Sequence, residues 1–138
     1  MCLVVSVASI RAGEKRKPSR AATAREALRR AEPAGLRWQH SQRLDLNCDG
    51  KSDEVFTAVD ESRFYVAVVL GPITAKSQYS VVAFRLSGDS QDSFCGGFES
   101  LTPEDAESCK GLRLTSGECD SFHLYWDRSS NALDWWRL

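Results

Sequence analysis

One short acidic stretch, residues 45–53, holds the side chains best suited to chemistry in this sequence. Its oxygen-bearing side chains fall at the first, third, fifth and ninth places: Asp45, Asn47, Asp49 and Asp53. This spacing lets a chain curl around a hard cation with alternate side chains pointing inward. Gly50 permits the sharp bend, and the carbonyl of Lys51 supplies a ligand at the seventh place. We predict a Ca²⁺ site; the alternative is an Asx-rich turn satisfied by water.

This predicted site differs from an EF-hand. The twelfth place of an EF-hand loop carries a bidentate Glu, and here that place is Phe56. The flanking segments also have the composition of strands. We therefore expect a weak site that rigidifies a loop, with a Kd on the order of 10⁻⁴ to 10⁻³ M.

The cysteines predict disulfides. Five are present: Cys2, Cys48, Cys95, Cys109 and Cys119. None forms a CxxC pair, and the two histidines cannot complete a zinc site at a usual spacing. We predict the pairs Cys48–Cys95 and Cys109–Cys119, because the latter two flank a short segment with a turn at Ser116–Gly117. Two disulfides imply an oxidising compartment; the alternative is buried free thiols in a cytosolic protein.

Charge is distributed unevenly along the chain. Residues up to Arg43 include ten Lys or Arg against three Glu, whereas the remainder has eight against sixteen Asp or Glu. An acidic body disfavours nucleic acid as a partner and suits a cation or a basic protein. We divide the chain into a basic segment, residues 1–35, and an acidic β-rich domain, residues 36–138.

The first residues do not predict a membrane span. The apolar run Leu3–Ile10 is shorter than the roughly 20 residues that cross a bilayer. It also lacks a preceding Lys or Arg, so it corresponds to an incomplete signal sequence, a strand or a disordered end.

A helix is predicted over residues 20–32. Ser19 is a suitable N-cap, and Pro33 ends the pattern. Its apolar face is mostly alanine, so we expect a loosely docked, solvated helix. The alternative is a basic helix for an acidic partner or a membrane surface.

Seven short segments have the composition of strands, separated by turn residues: 36–44, 54–59, 64–70, 79–86, 111–114, 120–126 and 132–137. Residues 64–70 are apolar on both faces and should form a central strand. Residues 101–110 are predicted to be irregular or to form one helical turn begun by Thr102–Pro103. The fold class is therefore mainly β, an antiparallel sheet curled into a sandwich or partial barrel, preceded by one helix.

Aromatic residues near the C-terminus suggest a binding surface. Trp135 and Trp136 point to opposite faces if the chain ends as a strand, so one belongs to the core and the other to the surface. Together with His123 they form a tentative partner-binding patch; the alternative is a core wall that covers the sheet edge. His123 itself is expected to be solvated or hydrogen-bonded, because no Ser or Cys nucleophile adjoins it.

Two resemblances bear on function. Residues 45–53 resemble the calcium loops of FG-GAP and integrin-type repeats. Residues 36–138 resemble small secreted or periplasmic proteins of proteobacteria, in the stretches 65–72, 119–126 and 135–137. Similar calcium-loop β folds occur among periplasmic lysozyme inhibitors and immunity proteins against cell-wall hydrolases. The resemblance implies a periplasmic or secreted protein of that kind.

We therefore predict a Ca²⁺-stabilised, non-enzymatic domain of the envelope or exterior that binds a protein. The partner would be a basic hydrolase, and the domain its inhibitor or immunity protein. The alternatives are a hydrolase that uses carboxylates of the acidic body and an envelope binding module for another ligand. The oligomeric state stays open.

Overall fold

The computed structural model describes residues 16–107 and 109–138. Within them it contains one α-helix, one 3₁₀ turn and eight strands: α1 Arg20–Ala27, the turn Leu28–Arg30, β1 Gln39–Leu44, β2 Asp53–Val59, β3 Arg63–Val69, β4 Tyr79–Arg85, β5 Phe98–Asp105, β6 Lys110–Ser116, β7 Phe122–Asp127 and β8 Ala132–Trp136. Strands β1–β4 form sheet A and β5–β8 form sheet B, each antiparallel and in chain order. The predicted run Leu3–Ile10 and Cys2 lie outside the described residues.

The two sheets face each other across one apolar core. Phe84 of sheet A and Phe122 of sheet B meet with ring centroids 4.4 Å apart. At one side of this core the backbone N–H of Leu133 donates to Ser80 Oγ at 2.9 Å, which links β8 to β4. The predicted mainly β fold with an N-terminal helix is confirmed, and the architecture is that of a sandwich.

Strand β3 is buried on both faces. Its inward side chains belong to the core between the sheets: Phe64, Val66 and Val68. Its outward side chains belong to a second cluster beneath the helix: Tyr65, Ala67 and Val69. The prediction of a central strand with two apolar faces is therefore confirmed.

Helix α1 covers the outer face of sheet A, and the expectation of loose docking is wrong. Ala24, Ala27 and Leu28 are all at most 1% exposed and pack in one cluster with Phe56 and Tyr65. Small alanine side chains allow the helix backbone to approach the sheet closely, so a face that looked weak in the sequence becomes fully buried. The predicted cap is confirmed, since Ser19 Oγ accepts from the N–H of Ala22 at 3.1 Å.

Glu54 connects this helix to the strands beneath it. Its fully buried carboxylate on β2 accepts from Nε of Arg20 at 2.6 Å and from Nε of Arg43 at 2.7 Å. Nε2 of His40 contacts the other oxygen. Burial alone raises the pKa of Glu54, but the hydrogen bonds from these three partners outweigh it and the pKa is lowered. An ionised carboxylate thus ties the first residue of α1 to β1 and β2.

Residues 98–105 form strand β5, so the irregular or helical structure predicted for 101–110 is wrong over most of that range. Pro103 pairs with Leu112 of β6. A proline has no N–H to donate, but β5 is the edge strand of sheet B and needs no partner on its open side. Pairing with β6 therefore overrides the local helix signal.

The disulfides join different partners from those predicted. Cys48 pairs with Cys109, and Cys95 pairs with Cys119. Cys109 precedes β6 and Cys119 follows it, which separates them by roughly 20 Å at about 3.3 Å per strand residue. A disulfide requires Cα atoms within about 7 Å, so the predicted Cys109–Cys119 bond is impossible. Two disulfides fit an oxidising environment.

No helix in the described part of the chain is long and apolar enough to cross a membrane.

We expect Glu54→Gln to lower the free energy of unfolding by about 3 kcal/mol at neutral pH, because the buried side chain would lose its charge while its cationic partners remain. Since the folded pKa is lowered, the contribution is present above the ordinary pKa of a glutamate, about 4, and is lost as pH falls through the folded value. Urea unfolding at about five pH values, from about pH 3 to about pH 7, measures the free energy of unfolding of both proteins as a function of pH.

The exposed Glu61 provides the matched control, and Glu61→Gln should change stability little. An equal loss in both variants, or a loss that does not shrink at acid pH, would contradict the role given to Glu54.

Removing each disulfide separately should rank the two by their contribution to the free energy of unfolding. Cys48 and Cys109 are 61 residues apart, whereas Cys95 and Cys119 are 24 apart. By loop-closure entropy, the double Ser variant of the first pair should lose about 4 kcal/mol and that of the second about 3 kcal/mol. Mass spectrometry of a non-reduced digest checks the pairing first, and a peptide that joins Cys109 to Cys119 would refute it.

Candidate functional site

The acidic loop 45–53 is held in shape by its own side chains. Asp45 accepts from the backbone N–H of Gly50 at 2.8 Å and of Asp49 at 3.3 Å. Asp49 in turn accepts from the N–H of Lys51 at 2.8 Å. Gly50 adopts φ 83°, the left-handed conformation that glycine takes without a steric cost.

Three of the predicted ligands converge on one point. The Asn47 amide, with its nitrogen oriented to donate, lies 3.1 Å from Oδ1 of Asp45 and 3.1 Å from Oδ1 of Asp49. In the part of the chain that the structure describes, no three His, Cys, Asp or Glu side chains gather as a metal site. The loop therefore supplies two carboxylates, oxygen donors of a type that suits Ca²⁺. The Asn47 amide, which presents its nitrogen to them here, would have to turn its oxygen to a bound cation to act as the predicted third ligand.

Asp53 closes the loop from inside the protein. Its side chain is fully buried and accepts from the N–H of Leu46 at 2.8 Å and of Gly71 at 2.9 Å. Burial raises the pKa of Asp53, and the negative charges of Asp49 and Asp45 add to this, against the effect of the two backbone hydrogen bonds. A bound cation would relieve that repulsion.

Gly71 makes this closure possible. A Cβ atom at position 71 would lie 2.2 Å from the carbonyl oxygen of Ser52, closer than any side chain could come. The loop is also covalently attached to sheet B, because Cys48 is joined to Cys109 at the β5–β6 turn. The loop is therefore fixed at Cys48 by the disulfide and at Asp53 by hydrogen bonds.

The outer face of sheet B carries the second group of predicted residues. Nδ1 of His123 on β7 lies 2.6 Å from Oε1 of Glu104 on β5. Trp136 on β8 stacks on His123, with ring centroids 4.1 Å apart and an interplanar angle of 17°. We call His123, Trp136, Glu104 and the neighbouring Tyr125 the sheet B patch.

The two tryptophans occupy opposite faces, as predicted. Trp135 packs against the core and contacts Phe84 at 5.5 Å and Phe122 at 5.3 Å between ring centroids. Trp136 is 49% exposed. Of the predicted patch, the structure thus brings Trp136 and His123 together, whereas Trp135 is partly buried and packs against the core on the opposite face.

Glu104 reaches His123 across strand β6 because Gly111 stands between them. Glu104 pairs with Gly111, and His123 pairs with the next outward residue of β6, Arg113. A Cβ atom at position 111 would lie 2.7 Å from the carbonyl oxygen of Leu124 and 3.9 Å from Cγ of Glu104. The missing side chain leaves a path over the sheet for the carboxylate.

A hollow of about 570 Å³ lies against this patch, and we call it the sheet B hollow. Its lining combines rings and carboxylates: His123, Tyr125, Trp136, Glu104, Asp105 and Glu107. Burial raises the pKa of Tyr125, and the negative charges of Asp134 and Asp127 raise it further. The phenol therefore stays neutral at physiological pH.

A larger hollow, about 780 Å³, lies between α1 and residues 33–38. Three of its four charged lining residues have partners: Arg25 donates to the carbonyl of Trp38 at 3.0 Å, and Arg29 pairs with Glu26 at 3.1 Å. Its lining is mainly apolar, so it offers less specific chemistry than the sheet B hollow.

The sequence prediction missed Glu104 as a member of this patch. It placed Glu104 in the irregular segment or helical turn expected over 101–110, although Ser100, Thr102 and Glu104 alternate with the apolar Leu101 and Pro103. That alternation is the signal of a half-buried strand. The expectation that His123 is hydrogen-bonded is confirmed.

Comparisons with protein-family models, with curated proteins and with solved structures find no match to this chain.

Calcium at about 10 mM should raise the melting temperature by a few degrees, because a Kd on the order of 10⁻³ M gives about 1.4 kcal/mol of stabilisation. Asp49→Asn should abolish the increase by removing one ligand charge. Differential scanning calorimetry with calcium, magnesium or a chelator measures it.

Asp89→Asn is the control, since this exposed carboxylate lies outside the loop. If calcium has no effect on the parent protein, or the same effect on Asp49→Asn as on the parent, the site does not exist.

Proposed function

We propose that this chain is a calcium-stabilised protein-binding domain that works in the periplasm or outside the cell. Two disulfides support an oxidising compartment, and the acidic loop supports the calcium site. The resemblance of residues 36–138 to secreted and periplasmic proteins points in the same direction.

The observation that carries the proposal is the difference between the two outer sheet faces. On sheet A this face is buried beneath α1. On sheet B it presents the half-exposed Trp136, stacked on His123 beside a hollow. A large aromatic side chain that is held rigidly at a hollow is a typical anchor of a protein interface.

The architecture suits binding at this face. The stack restricts Trp136 before any partner arrives, so little conformational entropy is lost on association. The core, both disulfides and the acidic loop 45–53 lie behind or beside the face and support the sheet. We therefore assign the sheet B patch as the centre of the interface.

The sharper form of the proposal is an inhibitor or immunity protein against a cell-wall hydrolase. The acidic residues from position 44 onward complement a basic enzyme. Activity of a basic lysozyme and of an amidase, measured with rising amounts of this protein, tests that form. Inhibition should appear at a defined stoichiometry, and full activity at a large excess rejects it.

Trp136→Ala should weaken capture of the partner by at least about ten-fold, as expected for an aromatic anchor. The immobilised protein is exposed to an envelope extract, and the captured protein is identified and titrated by surface plasmon resonance.

Val59→Ala serves as control, because Val59 is an exposed apolar side chain at the end of β2 on sheet A, with 59% exposure. Equal weakening in both variants, or undiminished capture by Trp136→Ala, would place the interface elsewhere.

A further inference from the structure

We propose that the disulfide Cys95–Cys119 is a thiol–disulfide exchange site, which an external dithiol opens and the oxidised form of that dithiol closes. The disulfide Cys48–Cys109, by contrast, is a permanent structural bond. The two bonds differ in the charges that their sulfur atoms face and in what covers them. This proposal does not depend on the binding face around Trp136.

A guanidinium lies against one sulfur of the exchange site. Nη2 of Arg137 is 3.6 Å from Sγ of Cys95. The side chain is held there, because Nη1 donates to the carbonyl of Ser93 at 2.8 Å and to that of Gln91 at 3.2 Å. The guanidinium also lies 4.6 Å from the centroid of the Phe122 ring. A fixed positive charge beside a sulfur stabilises the thiolate that forms when the bond opens, so that sulfur becomes the better leaving group.

The charges near this disulfide are distributed unevenly between its two sulfurs. None of the ion pairs found among the described residues involves Arg137, so no carboxylate neutralises it. The acidic Glu118 and Asp120 adjoin Cys119 in the chain and disfavour a thiolate at that residue. The electron pair of the broken bond is therefore expected on Cys95.

An incoming thiol can reach the bond from solvent. Cys95 is exposed and Cys119 is half-buried, and both line a surface hollow of about 470 Å³ beside Asp89. Glycines at positions 96, 97 and 117 flank the bond and carry no side chain to cover it. At position 117 glycine is required, because a Cβ atom would lie 3.1 Å from the backbone carbon of Cys95. Exposed disulfides are the ones that exchange readily.

The other disulfide faces oxygen atoms. The carbonyl oxygen of Asp45 lies 3.4 Å from Sγ of Cys109. Cys48 belongs to the acidic loop and adjoins Asp49. A thiolate on either sulfur would be repelled by these groups, so opening of this bond is disfavoured.

The exchange needs a dithiol as its only co-reactant. One thiolate of the dithiol attacks Sγ of Cys119, a new S–S bond forms, and the Cys95–Cys119 bond breaks with its electron pair on Cys95. The second thiolate of the dithiol then attacks the first, which closes the disulfide of the dithiol and releases Cys119. The two cysteines take up the two protons that the dithiol has lost. The chain is thus reduced by two electrons and the dithiol is oxidised by two.

Reduction of the full chain in mixtures of reduced and oxidised dithiothreitol tests the proposal. A chelator keeps calcium from the acidic loop, free thiols are alkylated at timed intervals, and peptide mass spectrometry reports each cysteine separately. We expect Cys95–Cys119 to open at least about ten-fold faster than Cys48–Cys109 while the circular dichroism spectrum stays unchanged. Equal rates, a faster opening of Cys48–Cys109, or opening only together with loss of the spectrum overturns the proposal.

Glutathione, a monothiol, shows which sulfur is attacked, because exchange with it stops at a mixed disulfide. After an acid quench, glutathione should be found on Cys119, with Cys95 free. Glutathione found mainly on Cys95 contradicts the role given to Arg137.

Arg137→Gln removes the charge beside Cys95. Opening should slow by about three-fold or more, and alkylation of the reduced Cys95 should need a higher pH than in the parent protein. The pH dependence separates loss of the charge from loosened packing on Phe122. Arg128→Gln is the matched control, since the exposed Arg128 lies beyond the far end of β7 from Cys119 and should change neither measurement.

An Arg137→Gln variant whose Cys95 is alkylated with the pH dependence of the parent protein refutes the stabilised thiolate. If this variant does not fold, Arg137→Lys replaces it: with the charge kept, Cys95 should still be alkylated at a lower pH than Cys119. The same pH dependence for both cysteines in Arg137→Lys also refutes the proposal.

Discussion

The structure depends on two adjacent carboxylates of β2 that point to opposite faces of sheet A. Asp53 turns inward and holds the backbone of Leu46 and Gly71. Glu54 turns outward and holds Arg20 and Arg43. Both are fully buried, so each is stable only because its hydrogen bonds compensate for lost hydration. One closes the acidic loop, and the other attaches the helix.

These two attachments create the difference between the sheets. With α1 in place, the central strand β3 of sheet A is buried on both faces. Sheet B lacks such a cover within the described residues, and its outer face carries the patch around Trp136. Helix α1 of the basic N-terminal segment thus has a structural role, and the binding that we propose falls to sheet B.

The disulfide Cys48–Cys109 joins the acidic loop to the turn that starts β6. The same turn borders the sheet B hollow through Asp105 and Glu107. The predicted calcium loop and the proposed binding face are therefore neighbours on one covalently linked frame. Stiffening of the loop by a cation would also stiffen one wall of the hollow.

Local pattern alone determined much of this protein. Alternation and turn residues specified most strands, Ser19 specified the start of the helix, and the spacing of Asp45, Asn47 and Asp49 specified a loop whose side chains converge. These features depend on residues close together in the chain. Trp135 and Trp136 also take the opposite faces that a strand requires.

Only the tertiary structure decided what depends on distant neighbours. Strand β5 forms because β6 pairs with it. Cys109 pairs with Cys48, because β6 separates Cys109 from Cys119. The alanine face of α1 is buried because sheet A lies beneath it. The contact of Glu104 with His123 needs Gly111 between them. Each of these results from packing between segments remote in sequence, which local propensity does not encode.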